Sequence, residues 1–213
     1  MPPLEFLERP AADSPAGLLV LHHGRGTDER DLLPLGDVLD PRRRLHVVAP
    51  RGPLQLQGSP GYHWYRVPRV GYPDPDSFAF ASRALAEFHD DLWRRTGLGH
   101  EQTVLGGFSM GAVMSYGLGL GSDRPAPKGI LAFSGFLPTV EGWAPSLTGR
   151  TGLPVFISHG RADPVIDVAF ARRARDLLEA GGLQIEYHET DVVHTIDPAV
   201  IGPGVAWLQS TIE

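Results

Sequence analysis

Short apolar runs recur along the chain at Leu18–Leu21, Leu45–Ala49, Thr103–Leu105, Gly129–Phe133, Val155–Ser158 and Leu183–Tyr187. Several are apolar without alternation, the pattern of strands covered on both faces. Leu4–Leu7 is more polar and predicts an antiparallel edge strand. Between these runs the period changes. Asp76–Arg95 repeats Phe80, Ala84, Phe88 and Leu92 four residues apart with Arg and Asp elsewhere, which predicts an amphipathic helix. Ala112–Leu120 is small and apolar throughout, as suits a helix buried against a sheet. Val168–Ala180 gathers Phe170, Ala174, Leu177 and Leu178 on one face and stops at Gly181-Gly182. A short helix is expected around Val205–Ser210. Strands alternating with helices predict an α/β architecture, a mainly parallel central sheet with helices on both faces. Residues 1–213 read as a single domain of this kind.

The segment Pro50–Pro75 breaks the rhythm. It is rich in Pro and Gly, yet carries Tyr62, Trp64, Tyr65 and Tyr72. A long irregular stretch with clustered aromatics reads as a binding loop, or else as a surface loop pinned by its own rings. The strands and helices take up most of the 213 residues, so no cap domain is expected. This loop alone is long enough to shape an entrance.

Composition narrows the chemistry. The chain has no cysteine, which excludes a thiolate nucleophile, a disulfide framework and thiolate metal sites. A net charge of −6 argues against nucleic acid or an anionic membrane as main partner. The N-terminus shows no signal-peptide pattern, and no apolar run approaches the roughly 18 residues of a membrane span. The expectation is a cytoplasmic protein without stable membrane insertion. No surface patch is legible that would fix an oligomeric state, and a homodimer stays open.

Gly107-Phe108-Ser109-Met110-Gly111 follows one expected strand and opens an expected helix. G-x-S-x-G in that context is the pattern of a serine held on a sharp strand-to-helix turn, with its hydroxyl clear of the sheet. The helix N-terminus beside it favours developing negative charge. Such a serine needs a base and an acid that orients the base, following in the order Ser, Asp, His. Asp163 lies beyond the strand Val155–Ser158, in His159-Gly160-Arg161-Ala162-Asp163-Pro164, and His194 lies beyond Leu183–Tyr187. Asp167 and Asp191 compete with Asp163, but Asp167 stands where it would cap a helix and Asp191 is too near His194 in sequence. His159 and His188 compete with His194. His188, Asp191 and His194 match no familiar metal spacing, so no metal is expected.

Leu21-His22-His23-Gly24-Arg25-Gly26 follows the first buried strand. Acyl transfer needs two backbone N–H donors for an oxyanion, one from the residue after the nucleophile and one from an early loop. Met110 and Arg25 are the candidates, with His22 and His23 holding the loop through their rings. Trp64, Tyr65, Phe136 and Leu137 are the candidate cleft walls.

Taken together, Leu21–Gly26, Gly107–Gly111, His159-Gly160…Asp163 and His194-Thr195-Ile196 resemble the small α/β-hydrolases of the phospholipase/carboxylesterase group. That group includes bacterial carboxylesterases and acyl-protein thioesterases. The resemblance implies an α/β-hydrolase fold with an eight-strand-type sheet, no cofactor, and a small-molecule ester as substrate. By position it implies Ser109 as nucleophile, His194 as base, Asp163 as its orienter, and Arg25 and Met110 at the oxyanion. Three positions depart from the group: Val193 where glycine is frequent, Met110 where glutamine is, and Arg25 where leucine is. The activity expected is hydrolysis of short- to medium-chain carboxylic esters. Acyl-protein thioesterase, lysophospholipase-like or dienelactone-hydrolase-like activity are the alternatives, although the last typically uses a cysteine. Outside enzymes, the alternative is a catalytically silent binding protein on the same fold.

Overall fold

The computed structural model describes residues 3–213. In chain order the elements are β1 (Phe6–Arg9), β2 (Gly17–His22), α1 (Leu33–Leu39), β3 (Leu45–Pro50), β4 (Leu54–Gln55), β5 (Tyr62–His63) and α2 (Pro75–Thr96). They continue with β6 (Thr103–Phe108), α3 (Met110–Gly119), β7 (Gly129–Phe133), β8 (Pro154–Gly160), α4 (Ala169–Ala180), β9 (Gln184–Thr190) and α5 (Ile201–Ile212). Seven strands form one sheet in the order β1-β3-β2-β6-β7-β8-β9, and β4-β5 is a separate hairpin. Only β1 runs antiparallel, against β3; the other neighbours in the sheet are parallel.

The apolar runs become strands because both of their faces are covered. Every residue of β2 is buried. Leu18 and Val20 pack with Leu85 of α2 and Met114 of α3, whereas Leu19 and Leu21 pack toward Leu39 of α1 and Trp207 and Leu208 of α5. Tyr116 of α3, Ile130, Val155 and Ile157 meet Ala171, Ala174 and Leu178 of α4. Successive side chains of a strand point to opposite faces, so continuous burial requires helices on both. This is the expected α/β-hydrolase architecture.

Several expected boundaries move. The edge strand lies at Phe6–Arg9 rather than Leu4–Leu7. The final helix spans Ile201–Ile212, longer than expected around Val205–Ser210. Gly202-Pro203-Gly204 obscured its start, yet Pro203 falls in the first turn, where a missing N–H breaks no helix bond. Helix α1 had no clear amphipathic signal in its seven residues, LPLGDVL. The sheet has seven strands among the described residues rather than the eight the resemblance implied. No helix is long and apolar enough to cross a membrane among those residues.

Candidate active site

Strand β6 carries Ser109 to the C-terminal edge of the sheet, where the chain must turn at once into α3. Ser109 adopts φ 55° and ψ −117°, a conformation L-residues rarely take. Its N–H donates to the Phe133 carbonyl at 2.8 Å, which helps hold the turn. A Cβ at position 111 would lie 1.8 Å from the His22 carbonyl oxygen, so the second glycine of the motif lets α3 sit against β2. The strain is thus over-determined by close packing on two sides.

Asp163 and His194 arrive from neighbouring strands, β8 and β9. The two following loops are joined by backbone hydrogen bonds, Arg161 N–H to Thr190 O at 2.7 Å and Ala162 N–H to Val192 O at 3.2 Å. A Cβ on Gly160 would stand 2.2 Å from the Val192 carbonyl oxygen, so only glycine allows this approach. Asp163 is fixed in turn: its Oδ1 accepts from the N–H groups of Val165 at 2.8 Å and Ile166 at 2.9 Å. Its Oδ2 accepts from His194 Nδ1 at 2.6 Å. A carboxylate only accepts, so Nδ1 donates here, which in the neutral ring leaves Nε2 to accept. Nε2 lies 2.9 Å from Ser109 Oγ. The three side chains therefore form one hydrogen-bonded line from a buried carboxylate to a hydroxyl at the cleft floor.

The competitors occupy other roles. His159 Nε2 donates to the Ile166 carbonyl at 2.8 Å and lies 3.3 Å from Asp163 Oδ2, which makes it a buried support of the same carboxylate. His188 of β9 stacks on Phe156 of the neighbouring β8. Asp191 pairs with Arg161 at 2.6 Å. Asp167 accepts from Ala169 N–H at the start of α4. Among the described residues, no group of three or more His, Asp or Glu side chains is arranged to hold a metal.

The loop after β2 bends over the serine. Arg25 and Met110 both line the cleft, and among the described residues neither backbone N–H donates to a protein acceptor. His23 anchors this loop: its Nδ1 donates to the Gly24 carbonyl at 2.7 Å, and its Nε2 accepts from Gly52 N–H at 2.9 Å. His22 Nδ1 lies 2.8 Å from Ser115 Oγ, and its Nε2 lies 3.4 Å from His89 Nε2. Burial pushes the pKa of His22, His23 and His89 down, that of His89 to about 3, so this cluster is neutral.

Trp64, expected on the cleft wall, is fully buried beneath it. Its indole N–H donates to the His23 carbonyl at 2.9 Å, its backbone N–H points to Met110 Sδ at 3.2 Å, and its ring packs on both His22 and His23. It ties the loop bearing Arg25 to the helix start bearing Met110. Leu137 is also displaced from the expected wall: it packs with the core beside α3 and α4 and does not line the cleft. Tyr65 and Phe136 do line it.

Sequence reasoning missed the rest of the wall. The cavity, about 630 Å³, is lined also by Val67, Arg69, Val70 and Tyr72 from the loop before α2, and by Val165 and Ile166 beyond β8. Phe108, the first variable residue of the serine motif, packs on the His194 ring at 4.9 Å between centroids. Position alone could have nominated Phe108, but nothing in the sequence says where a loop of Val, Pro and Arg will fold.

The chain is similar in sequence and fold to known hydrolases. The chain is 30% identical to the esterase YpfH of Escherichia coli K12 over 195 residues, covering 87% of this chain and 79% of that one. It is 26% identical to acyl-protein thioesterase 1 of Debaryomyces hansenii over 155 residues, 68% of this chain and 66% of that one. The crystal structure of esterase PE8 superposes with a TM-score of 0.86 at 32% identity, covering 98% of this chain and 99% of that one. The model of the phospholipase/carboxylesterase family matches residues 7–210, and the chain belongs to that family of hydrolases.

Proposed function

We propose that the protein is a serine carboxylesterase that cleaves short- to medium-chain carboxylic esters through an acyl-serine intermediate. The observation that carries the reading is the Asp163–His194–Ser109 line, with contacts of 2.6 and 2.9 Å. His194 Nε2 takes the Ser109 proton as Oγ attacks the ester carbonyl, and the C–O π pair moves onto oxygen. The oxyanion is met by the N–H groups of Arg25 and Met110, with the N-terminus of α3 adding its dipole. Collapse of the adduct expels the alcohol, protonated by His194. Water then repeats the sequence on the acyl-serine, releasing the acid and the free hydroxyl. Asp163 keeps the imidazole in the tautomer that both half-reactions need.

A cavity of about 630 Å³ with apolar walls suits a small or medium acyl or aryl group. Rates should therefore fall for long acyl chains. The test is Ser109→Ala on a panel of esters and thioesters graded in acyl length. We expect kcat to drop on the order of 10⁴-fold or more with the fold retained. An organophosphonate should label Ser109 in the unsubstituted protein. Undiminished hydrolysis in Ser109→Ala would remove the serine mechanism. An unlabelled, inactive protein would favour the silent binding module instead.

A further inference from the structure

The cleft is apolar for most of its surface, yet two arginines stand in its lining. Arg25 and Arg69 both line the cavity and both are exposed. Arginines elsewhere mostly have acid partners, such as Arg30 with Asp28, Arg51 with Glu29, Arg95 with Glu8 and Arg172 with Glu189. Among the described residues, neither Arg25 nor Arg69 lies within 4.0 Å of a carboxylate. One carboxylate lines the cavity, Asp31, and it accepts from the Thr27 hydroxyl at 3.1 Å.

Arg69 is also held in place. Its guanidinium lies 3.6 Å from the centroid of the Tyr72 ring, and Tyr72 N–H donates to the Arg69 carbonyl at 2.9 Å, closing a tight turn. Stacking uses the face of the guanidinium and leaves its in-plane N–H groups free, the edge that reads carboxylate or phosphate. Pre-positioning lowers the ordering cost of binding. The His63 pKa is lowered first by burial, then by Arg25 and Arg66. In a chain of net charge −6, a cationic rim on an apolar cleft is a local feature, not an overflow of bulk charge.

We propose that this cleft selects esters that carry an anionic group, with the apolar body against Val67, Val70, Phe136 and Ile166 and the anion between Arg25 and Arg69. The proposal rests on the ester-hydrolase reading and names its substrate class. The anion could sit on the acid or on the alcohol of the ester, and the two arms of the test separate these. One arm compares ethyl hydrogen glutarate with ethyl pentanoate. The other compares carboxymethyl butyrate with propyl butyrate. Acid release is followed by pH-stat for the unsubstituted protein, Arg69→Gln, Arg69→Glu and Arg25→Gln/Arg69→Gln.

The readout is the ratio of kcat/KM for the anionic ester to that for its neutral partner. We expect the ratio to fall about threefold in Arg69→Gln and about tenfold in the double variant, in at least one arm. Arg69→Glu should lower it further than Arg69→Gln. Raising salt from about 0.05 M to about 0.5 M should shrink the ratio in the unsubstituted protein and leave it flat in the double variant. Neutral esters turned over with a ratio that ignores both substitutions would overturn this proposal and leave the esterase reading standing. No turnover of any ester, with no phosphonate on Ser109, would overturn both.

Discussion

Ser109, Asp163 and His194 stand one to four residues beyond the ends of β6, β8 and β9. Tyr65, Val67 and Arg69, which face them across the cleft, hang on a segment with only a two-residue-per-strand hairpin of its own. The first region inherits its geometry from the sheet: parallel neighbours in register deliver their C-terminal ends to one edge, so residues far apart in sequence meet. The second region is fixed by cross-contacts. Gly26 N–H donates to the Tyr62 carbonyl and Tyr62 N–H to the Thr27 carbonyl, both at 2.8 Å, while the Thr139 hydroxyl donates to the Gly71 carbonyl. Trp64 is the joint between the two regions. On the proposed reading, the scaffold would set the reaction and the loop the substrate.

That division can be broken from either side. The largest effect is expected at Asp163→Asn. The amide oxygen can still accept from Val165 and Ile166, but the NH₂ now faces His194 Nδ1 and imposes the other tautomer. By analogy with the triad template, kcat should drop on the order of 10⁴-fold. KM and the thermal midpoint should move far less. A variant retaining near-full kcat would show that the carboxylate orients nothing.

Next comes the joint. Trp64→Phe keeps most of the packing on His22 and His23 and removes the indole N–H donated to His23. One hydrogen bond is worth about 1 kcal/mol net, and loosening the loop that carries the proposed oxyanion donor Arg25 should lower kcat roughly five- to tenfold with KM little changed. A KM effect with kcat intact would place Trp64 with the cleft wall after all.

The smallest effect on kcat is expected beneath the loop, where the histidines bear on stability instead. Burial lowers the pKa of His22 and His89, the latter to about 3. The unfolded chain takes up these protons near pH 6.5, and the folded chain does not until far lower. Stability is therefore full above about pH 6.5 and is lost as pH falls below it, by up to about 1.4 kcal/mol per pH unit for each such histidine. Thermal melts between about pH 7 and about pH 4.5 should show it, and His89→Gln should flatten the slope. A melt insensitive to pH across that window would mean the cluster is charged or open in the folded state.

The centre of the sheet was legible because β2, β6, β7 and most of β8 are continuously apolar, and the helix between β6 and β7 is too. The three residues of the proposed site could be nominated because each sits past an expected strand, in order. Helix α1 was not, since its apolar face is shared with α5 and Val47 rather than written in a period of its own. Trp64 was placed wrongly because an aromatic in a Pro- and Gly-rich segment looks like a wall from sequence. The deciding fact, a carbonyl waiting at His23, belongs to another loop.

By itself, then, the sequence determined the alternation of buried strands and covering helices, the strand-to-helix turn at Ser109 and the order of the residues that follow. These depend on local period, local sterics and chain order. Tertiary structure alone decided that Trp64 goes under the cleft and Arg69 onto its rim, that His159 backs Asp163, and that Leu137 turns into the core. Such outcomes depend on which partner is within reach of a given donor or ring, and that distance exists only once the sheet has brought separate loops together.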